Sequence, residues 1–511
     1  MKEFELPKGW VETPLLALLE TLESGSRPKG GVQGIEEGIA SLGGEHLDNN
    51  GGFKFAKIKY VPFEFAEKMK RGKIQNGDIL IVKDGATTGK TSIVRESFPF
   101  EKAVVNEHVF VCRPYKVLNA KSLFYFLYSS TGNRQILEDF RGAAQGGISQ
   151  KFAQIVNVPV PPLPEQHRIV EKIETLFSEL DNGVESLKAA KAQLKRYRQT
   201  VLKSAFEGKL TEAWRREHAD ELESAESLLE RIKAEREAAY EKKLDDWKEA
   251  VQAWEVNGKE GKKPAKPKKL KELSPLTYDE QSEFAMLPSN WIAVKMGLII
   301  EEPKYGTSKK CDYETAGVGV LRIPNIANGF IDAQDLKFAS FDEDEQETYG
   351  LISGDLLTIR SNGSISLVGK TALISEKDEQ YLYAGYLIRL RPYSSVNSMY
   401  LHYAMSSQLL RQQIEQKAKS TSGVNNINSG ELESLVLPMT SVSEQHQIVN
   451  EIESRLSEAD AMEKAIDESL QKAERLRQSI LKKAFEGKLV PQDVNDEPAS
   501  ELLKRIKKEK Q

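Results

Sequence analysis

The chain is poor in the residues from which most catalytic and metal centres are built. It has two cysteines, Cys112 and Cys311, in 511 residues. So few exclude a disulfide framework and a cysteine-clustered metal site, and they point to a reducing compartment. Six histidines, His46, His108, His167, His218, His402 and His446, show no helical HExxH pattern and no His/Cys pair at metal spacing. No apolar run approaches the ~20 residues of a membrane span, and Met1-Lys2-Glu3-Phe4-Glu5 does not open a signal peptide. A cytoplasmic protein with no membrane partner is expected. Positive charge is not in excess either. The formal net charge is −5, which argues against a protein that coats nucleic acid.

What is present is length, charge and repetition. At 511 residues the chain has room for three or four domains, each with a real core. A hydrophobic content of 39% and a charged content of 29% suit long exposed helices. Charge is unevenly spread. Residues 1–160 carry 21 Lys+Arg against 18 Asp+Glu, a net of +3, and residues 284–438 carry 14 against 18, a net of −4.

The dominant feature is a helical stretch that occurs twice. Residues 165–210 run from Glu165-Gln166-His167 to Ala205-Phe206-Glu207-Gly208-Lys209-Leu210. Residues 444–489 run from Glu444-Gln445-His446 to Ala484-Phe485-Glu486-Gly487-Lys488-Leu489. At a constant offset of 279 the two agree at 21 of 46 positions without a gap. A helix accepts no insertion without rotating its later side chains off their face, so the ungapped match marks one helical unit. Both copies carry a heptad stripe: Ile173, Leu180, Leu187, Leu194 and Val201 in the first, and Ile452, Ile466 and Ile480 with Ala459 and Ala473 in the second. Such a stripe has to be buried. The partner of matching length and period is the other copy, which predicts an antiparallel coiled coil within one chain. The alternative is that each stripe packs on its own globular domain.

Residues 1–160 read as one globular domain opened by Leu6-Pro7-Lys8-Gly9-Trp10. Strand-like runs cover residues 78–82 and 104–112, the latter interrupted by Asn106, Glu107 and His108. Short helices are predicted at 121–128 and 135–140, and a flexible loop at Gly142–Gly147. Pro159, Pro161, Pro162 and Pro164 end the domain and set the start of the long helix, 161–210. Residues 211–285 form a charged helical extension and a linker, in which 257–271 holds seven lysines, two prolines and two glycines. That linker reads as a solvated tether.

Residues 286–438 repeat the first domain. Leu287-Pro288-Ser289-Asn290-Trp291 answers the opening, Gly354-Asp355 answers Gly77-Asp78, and Arg391-Pro392-Tyr393 answers Arg113-Pro114-Tyr115. The final segment, 439–511, holds the second long helix and a short one, Leu502-Leu503-Lys504-Arg505-Ile506-Lys507, that echoes Leu228-Leu229-Glu230-Arg231-Ile232-Lys233. The fold class expected is α+β. Two similar mixed α/β domains are joined by two long antiparallel helices, with approximate two-fold symmetry.

Catalytic signatures are lacking. Gly85-Ala86-Thr87-Thr88-Gly89-Lys90-Thr91 looks like a phosphate loop, but three residues separate its first glycine from Gly-Lys where the motif needs four, and the copy at Gly363 to Gly369-Lys370-Thr371 has five. A β-hairpin turn is expected instead. No Asn-Pro-Pro-Tyr or Asp-Pro-Pro-Tyr signature of an amino-methyltransferase occurs. His167 and His446, at the first turns of the long helices, read as packing or capping residues.

A helix of about 42 residues is roughly 60 Å long, against about 34–36 Å for one turn of DNA. A pair of such helices could hold two readers one to two turns apart on a duplex. The Leu-Pro-x-x-Trp openings, the Pro-Leu-Pro-Glu-Gln-His-Arg-Ile-Val helix start and the Ala-Phe-Glu-Gly-Lys-Leu ends resemble the specificity subunit of Type I restriction–modification enzymes over nearly the whole chain. The second helix start departs from the pattern, with Thr440-Ser441-Val442-Ser443 in place of the prolines. The resemblance implies two target-recognition domains, 1–160 and 286–438, that bind double-stranded DNA. It implies partners too: modification (methyltransferase) subunits using S-adenosylmethionine, and restriction (nuclease and translocase) subunits using ATP and Mg. It implies no catalysis and no cofactor in this chain.

Phosphate contacts need Lys or Arg, and base edges need Arg, Lys, Asn, Gln, Ser or Thr. Loop positions of those types are Arg27, Lys29, Lys83, Thr87, Thr88, Lys90 and Gln145 in the first domain. In the second they are Lys309, Lys310, Arg360, Ser361, Asn362, Lys370, Asn425 and Asn426. Competing readings are a coiled-coil scaffold joining two protein-binding domains without DNA, an enzyme with a concealed site, and two chains pairing through their helices.

Overall fold

The computed structural model describes residues 6–142, 146–269, 272–421 and 423–510. The chain divides into two compact units, Met1–Ala189 with Ile466–Gln511, and Ala190–Ala465. Each unit therefore draws on both long helices, Leu163–Phe206 and Val442–Phe485, which are 44 residues each.

In the first unit a four-stranded antiparallel sheet has the order Leu19–Ser24, Val109–Pro114, Ile79–Val82, Thr91–Ile93. A three-stranded sheet places Ile39–Leu42 between Lys59–Val61, antiparallel, and Ala103–Val105, parallel. Asn106, Glu107 and His108 thus break the 104–112 run into strands of two different sheets. Val11–Pro14 pairs with Asn157–Val160 and brings the two ends of the domain together. The helix expected at 135–140 runs instead from Ser130 to Leu137. It starts early because the Ser129 hydroxyl accepts from Gly132 N–H, an N-cap that apolar periodicity does not register.

The second unit repeats this plan. Lys304–Tyr305, Leu387–Leu390, Leu356–Ile359 and Thr371–Leu373 form the four-stranded sheet, and Val318–Leu321 lies between Lys337–Ala339 and Leu382–Tyr383. Ile292–Lys295 pairs with Val436–Met439. A further ribbon of Ser361–Asn362, Val424–Asn426 and Lys419–Thr421 is added here.

The repeated motifs are polar contacts between elements far apart in sequence. Trp10 Nε1 donates to Glu165 at 3.0 Å, and Trp291 Nε1 donates to Glu444 at 2.9 Å. The side chain of Gln166 accepts from Asn119 N–H (3.1 Å) and that of Gln445 from Asn397 N–H (2.8 Å). His167 and His446 each bond the same asparagine's amide, at 3.1 and 3.0 Å. The Asp of Gly-Asp meets the Arg of Arg-Pro-Tyr in both units: Arg113 holds the buried Asp78 and Arg391 the buried Asp355. Burial lifts the Asp78 carboxyl above its usual range despite that guanidinium.

Each long helix ends on the opening of a globular domain. Gly208 and Gly487 take left-handed φ of +72° and +68°, where a Cβ would come within 2.5 Å of Pro288 and 2.3 Å of Pro7. Val201, Leu202 and Phe206 lie in the second unit's core with Ile448 and Ile452, and Ile480, Leu481 and Phe485 lie in the first unit's core with Ile169 and Ile173. The heptad stripe thus buries its ends in globular cores. Leu180 packs at the edge of the first core, while Leu187, Leu194 and Ile466 are half-buried outside these clusters. Charge pairs join the helices side by side. Arg477 bonds Asp181 in the first unit, and in the second Arg198 bonds Asp460 at 2.6 Å and Glu463 at 2.8 Å. Lys191 meets Glu463 at 3.4 Å in the same unit, so the partner's number falls as the residue number rises, as antiparallel helices require.

The helix Ala225–Val256 follows the first long helix, and Leu228 and Ile232 anchor it in the second unit's core. The lysine-rich stretch after it is no free tether. Trp247 and Trp254 donate to the carbonyls of Pro264 (3.1 Å) and Gly261 (3.3 Å), and Lys266 and Lys263 lie over the same rings. The strap folds back along its own helix because these two indoles anchor it.

The two helix-start carboxylates differ in their partners. Glu444 also accepts from Thr211 (2.9 Å), Arg215 (2.9 Å) and Thr440 (2.6 Å), whereas Oε1 of the buried Glu165 has no hydrogen-bond partner among the described residues. At offset 279, Val490 and Val494 stand where Thr211 and Arg215 do. Replacing Glu444 by Gln is expected to cost about 3 kcal/mol, because Arg215 loses its carboxylate. Glu165→Gln keeps the indole bond and is expected to stabilise, on the order of 1 kcal/mol at neutral pH. Burial raises the Glu165 pKa from 4.5. Its favourable contribution is therefore present below pH 4.5 and is lost as pH rises through the folded value. The advantage of Glu165→Gln should be small at pH 4 and grow toward pH 7. Thermal unfolding of both variants against pH checks this.

Candidate nucleic-acid interface

In the first unit the hairpin turn after Ile79–Val82 carries four of the predicted contact residues. Gly89 N–H donates to Val82 O at 2.8 Å and Thr88 N–H to Gly85 O at 3.2 Å, so residues 85–90 form a β-turn rather than a phosphate cradle. The ends of the 142–147 loop lie against it: Gly85 N–H donates to Gly146 O and Ile148 N–H to Lys83 O. Lys83, Thr87, Thr88 and Lys90 are thereby gathered beside that loop, while Gln145 lies outside the described residues. The Lys83 ammonium sits 5.9 Å from the Phe110 ring centre, and Lys90 Nζ is 3.5 Å from Leu47 O. Thr87 is exposed, and the Thr88 hydroxyl is turned inward to Gly85 O at 2.7 Å.

Next to this turn stands a cluster that the sequence treated only as an interruption. His108 Nδ1 meets Asp84 at 2.5 Å and its Nε2 meets Glu107 at 3.3 Å, and Arg27 Nε is 3.1 Å from the same Glu107. Arg27 is tied to the turn through this chain of charges, and Lys29 is exposed on the loop beyond it. Two adjacent titratable residues between two strands, Glu107 and His108, were the available signal.

In the second unit five predicted residues converge on the added ribbon. Ser361 pairs with Asn426 and Asn362 with Asn425 across antiparallel strands. The Arg360 guanidinium lies 4.8 Å from the Tyr305 ring centre and donates to Asn426 Oδ1 at 3.2 Å. Stacking on a ring and bonding to an amide holds an Arg fork in one orientation, which is what bidentate recognition of a base edge or phosphate requires. Exposed Tyr386 adjoins it, its carbonyl accepting from Arg360 N–H at 2.9 Å.

The lysines of this unit are placed differently. Lys309 is engaged internally, donating to Glu345 (2.6 Å) and Ser340 O (2.8 Å) over the Phe341 ring, and it holds the Glu345 carboxyl below its usual range. Its sequence neighbour Lys310 is exposed, and Lys370 donates to Ala327 O at 3.2 Å. The structure therefore removes Lys309 from the free cations that the sequence suggested. A second exposed aromatic, Tyr313, lies between Lys337 (5.0 Å) and Arg322 (6.0 Å).

The six histidines all have local partners: Gly43 N–H for His46, Asp84 for His108, Asn119 for His167, Trp214 O for His218, Thr371 for His402 and Asn397 for His446. Among the described residues no three His, Cys, Asp or Glu side chains converge as a metal site would.

A scaffold repeated with unlike polar tips, held by helices that complete each core, defines a duplicated recognition protein. Residues 34–194 match the family of the Type I restriction modification DNA specificity domain. The chain is 27% identical over 530 residues to the EcoKI specificity subunit of Escherichia coli (strain K12), covering 100% of this chain and 97% of that one. It is 25% identical over 534 residues to the StySPI specificity subunit of Salmonella potsdam, with the same coverage. Its fold is shared with a chain of a solved type I R-M system assembly (TM-score 0.64, 18% identity, 95% and 100% of the two chains) and with the HsdS subunit from Thermoanaerobacter tengcongensis (0.52, 16%, 96% and 99%). Over its whole length the chain is similar to specificity subunits of Type I restriction enzymes, and its residues 34–194 match their DNA specificity domain.

The two kinds of cation separate experimentally. Arg360→Ala is expected to weaken specific duplex binding about tenfold or more and to relax one position of the recognised sequence, from a contact of about 1–3 kcal/mol. Lys309→Ala, which removes an internally neutralised charge, should leave binding within about twofold. Binding titrations on matched and mismatched duplexes read both.

Proposed function

We propose that this chain reads a bipartite, asymmetric DNA target, with one recognition domain, 1–160 or 286–438, on each half-site. The observation that carries the proposal is the contrast between the two copies. The Asp–Arg pair, the Trp–Glu bond and the sheet order are alike in both, while the polar tips differ, a turn-and-loop cluster with His108 in one and an Arg/Asn/Ser ribbon in the other. Alike scaffolds with unlike tips suit two different words in one target. The acidic balance of the second domain restricts DNA contact there to a local patch, and the Arg360 ribbon supplies one.

In this proposal the helix pair sets the spacing between the words. Modification subunits bring the S-adenosylmethionine chemistry, and restriction subunits bring the ATP- and Mg-dependent chemistry. The complex works in the cytoplasm, and this chain contributes sequence recognition alone. The second reading, a scaffold between two protein-binding domains, rests on the net −4 of residues 284–438.

Mapping methylated bases genome-wide, in cells expressing the chain with its partner subunits, tests the proposal. Methylation confined to a split, non-palindromic motif is the expected result. No motif, or a single uninterrupted palindrome, overturns it. Removing one heptad from each long helix, about 10 Å of rise, is expected to shorten the spacer by about three base pairs. An unchanged spacer would take the ruler role away from the helices.

A further inference from the structure

The two units treat one equivalent surface in opposite ways. The surface is the edge of the four-stranded sheet and the turn beside it. Matching backbone bonds fix the equivalence: Tyr115 N–H donates to Leu18 O as Tyr393 N–H does to Ile299 O, and Leu15 N–H donates to Val156 O as Met296 N–H does to Leu435 O. Leu19 lies opposite Pro114 as Ile300 lies opposite Pro392. Thus Glu20 corresponds to Glu301, Leu16 to Gly297, and Lys116 to Ser394.

In the second unit this surface is covered. The helix Ala225–Val256 lies on it, with Glu235 accepting from Ser394 N–H and Oγ–H (2.5 and 2.6 Å) and from Ser395 N–H (3.1 Å), and with Lys243 bonding Glu301 at 2.8 Å. The returning strap completes the cover. Lys268 meets Glu302 at 2.9 Å, and a Cβ at Gly297 would lie 3.1 Å from Leu273.

In the first unit the same surface is an open groove of about 870 Å³, lined by Leu16, Leu19, Glu20, Leu22, Tyr115 and Lys116 among others. Among the described residues the counterpart of the covering helix ends at Glu509, at the groove wall. Ala499–Glu509 is the counterpart of the start of Ala225–Val256, with Leu502 and Ile506 buried as Leu228 and Ile232 are. Its Glu509 and Lys510, equivalent to Glu235 and Arg236, reach the groove wall. Glu20 is exposed and has no ion pair among the described residues, and Leu16 is 38% exposed.

We infer that the groove on the first unit is a docking site for a helix from a partner protein, one that presents a lysine or arginine to Glu20 as Lys243 presents its ammonium to Glu301. The covered copy on the same chain shows what fits: a helix continuing the line of Ala499–Glu509, with a cation about two turns beyond the position of Glu235. It also shows what does not fit. Leu16 stands where Gly297 does, and a Cβ at Gly297 would already come within 3.1 Å of Leu273, so a strap in that place would meet the Leu16 side chain. The inference rests on the proposal that the chain works in a multi-subunit assembly.

Hydrogen exchange of the full chain, alone and purified with the partner subunits of its own system, tests it. Residues 19–24 and 115–118 are expected to exchange at least tenfold more slowly in the assembly, and Glu20→Lys to weaken assembly about tenfold. Restoring assembly with an Asp or Glu in place of the partner's cation would fix the pair. If the assembly forms while both segments exchange at the free rate, the groove inference fails and the function stands. If no assembly forms with the unaltered chain, the underlying function fails first. Protection that appears only on adding duplex DNA also overturns the inference, since Lys116 and Lys151 would then be facing phosphate.

Discussion

A carboxylate at the first turn of each long helix, held by an indole from the opening of its own domain, is the contact on which the rest of the structure depends. Trp10–Glu165 and Trp291–Glu444 join the beginning of each globular domain to the helix that leaves it. Negative charge at a helix N-terminus is favourable, and an indole N–H needs an acceptor when buried. The neighbouring Gln and His then bond Asn119 or Asn397, which cap the next helix, so one first turn fixes three elements. Rotating the long helix would break all of these bonds at once. The angle at which each helix departs is therefore set by polar contacts, and the apolar stripe follows from it.

The stripe is more modest than its heptads suggest. Its ends are absorbed into the globular cores, and its middle leaves Leu187, Leu194 and Ile466 half-buried between charge pairs. Arg477 shows how the pairing works: it lies over the Phe177 ring at 4.4 Å while bonding Asp181. One side chain serves packing and charge together, where a longer coiled coil would use a layer of leucines.

Much of this was legible in the sequence because it was written twice. The repeated motifs, Trp in the opening, Glu-Gln-His at the helix start and Gly-Lys-Leu at its end, are the ones that carry long-range contacts. The phosphate-loop lookalike was rightly read as a hairpin from its spacing alone. The tips were less legible. Arg360, Ser361, Asn362, Asn425 and Asn426 come together because a strand ribbon forms, but Lys309 looks the same as Lys310 in a sequence and differs only through Glu345, 36 residues away. His108 stood in an interrupted strand beside Glu107, and nothing local pointed to its other carboxylate, Asp84, 24 residues away. The lysine strap was misread because nothing local tells a tether from a segment that two tryptophans pin to a helix.

The core of the first unit is assembled from opposite ends of the polypeptide. Phe126 packs on Phe485 at 5.3 Å, and Leu502 and Ile506 sit among residues 10–177. The second unit needs only residues 190–465. On a ribosome, then, the part that is synthesised first is finished last: the second unit can close while the first still waits for the helix Ala499–Glu509. A nascent chain of this kind exposes an unfinished first domain until Leu502 and Ile506 have emerged, and damage there would be felt hundreds of residues upstream.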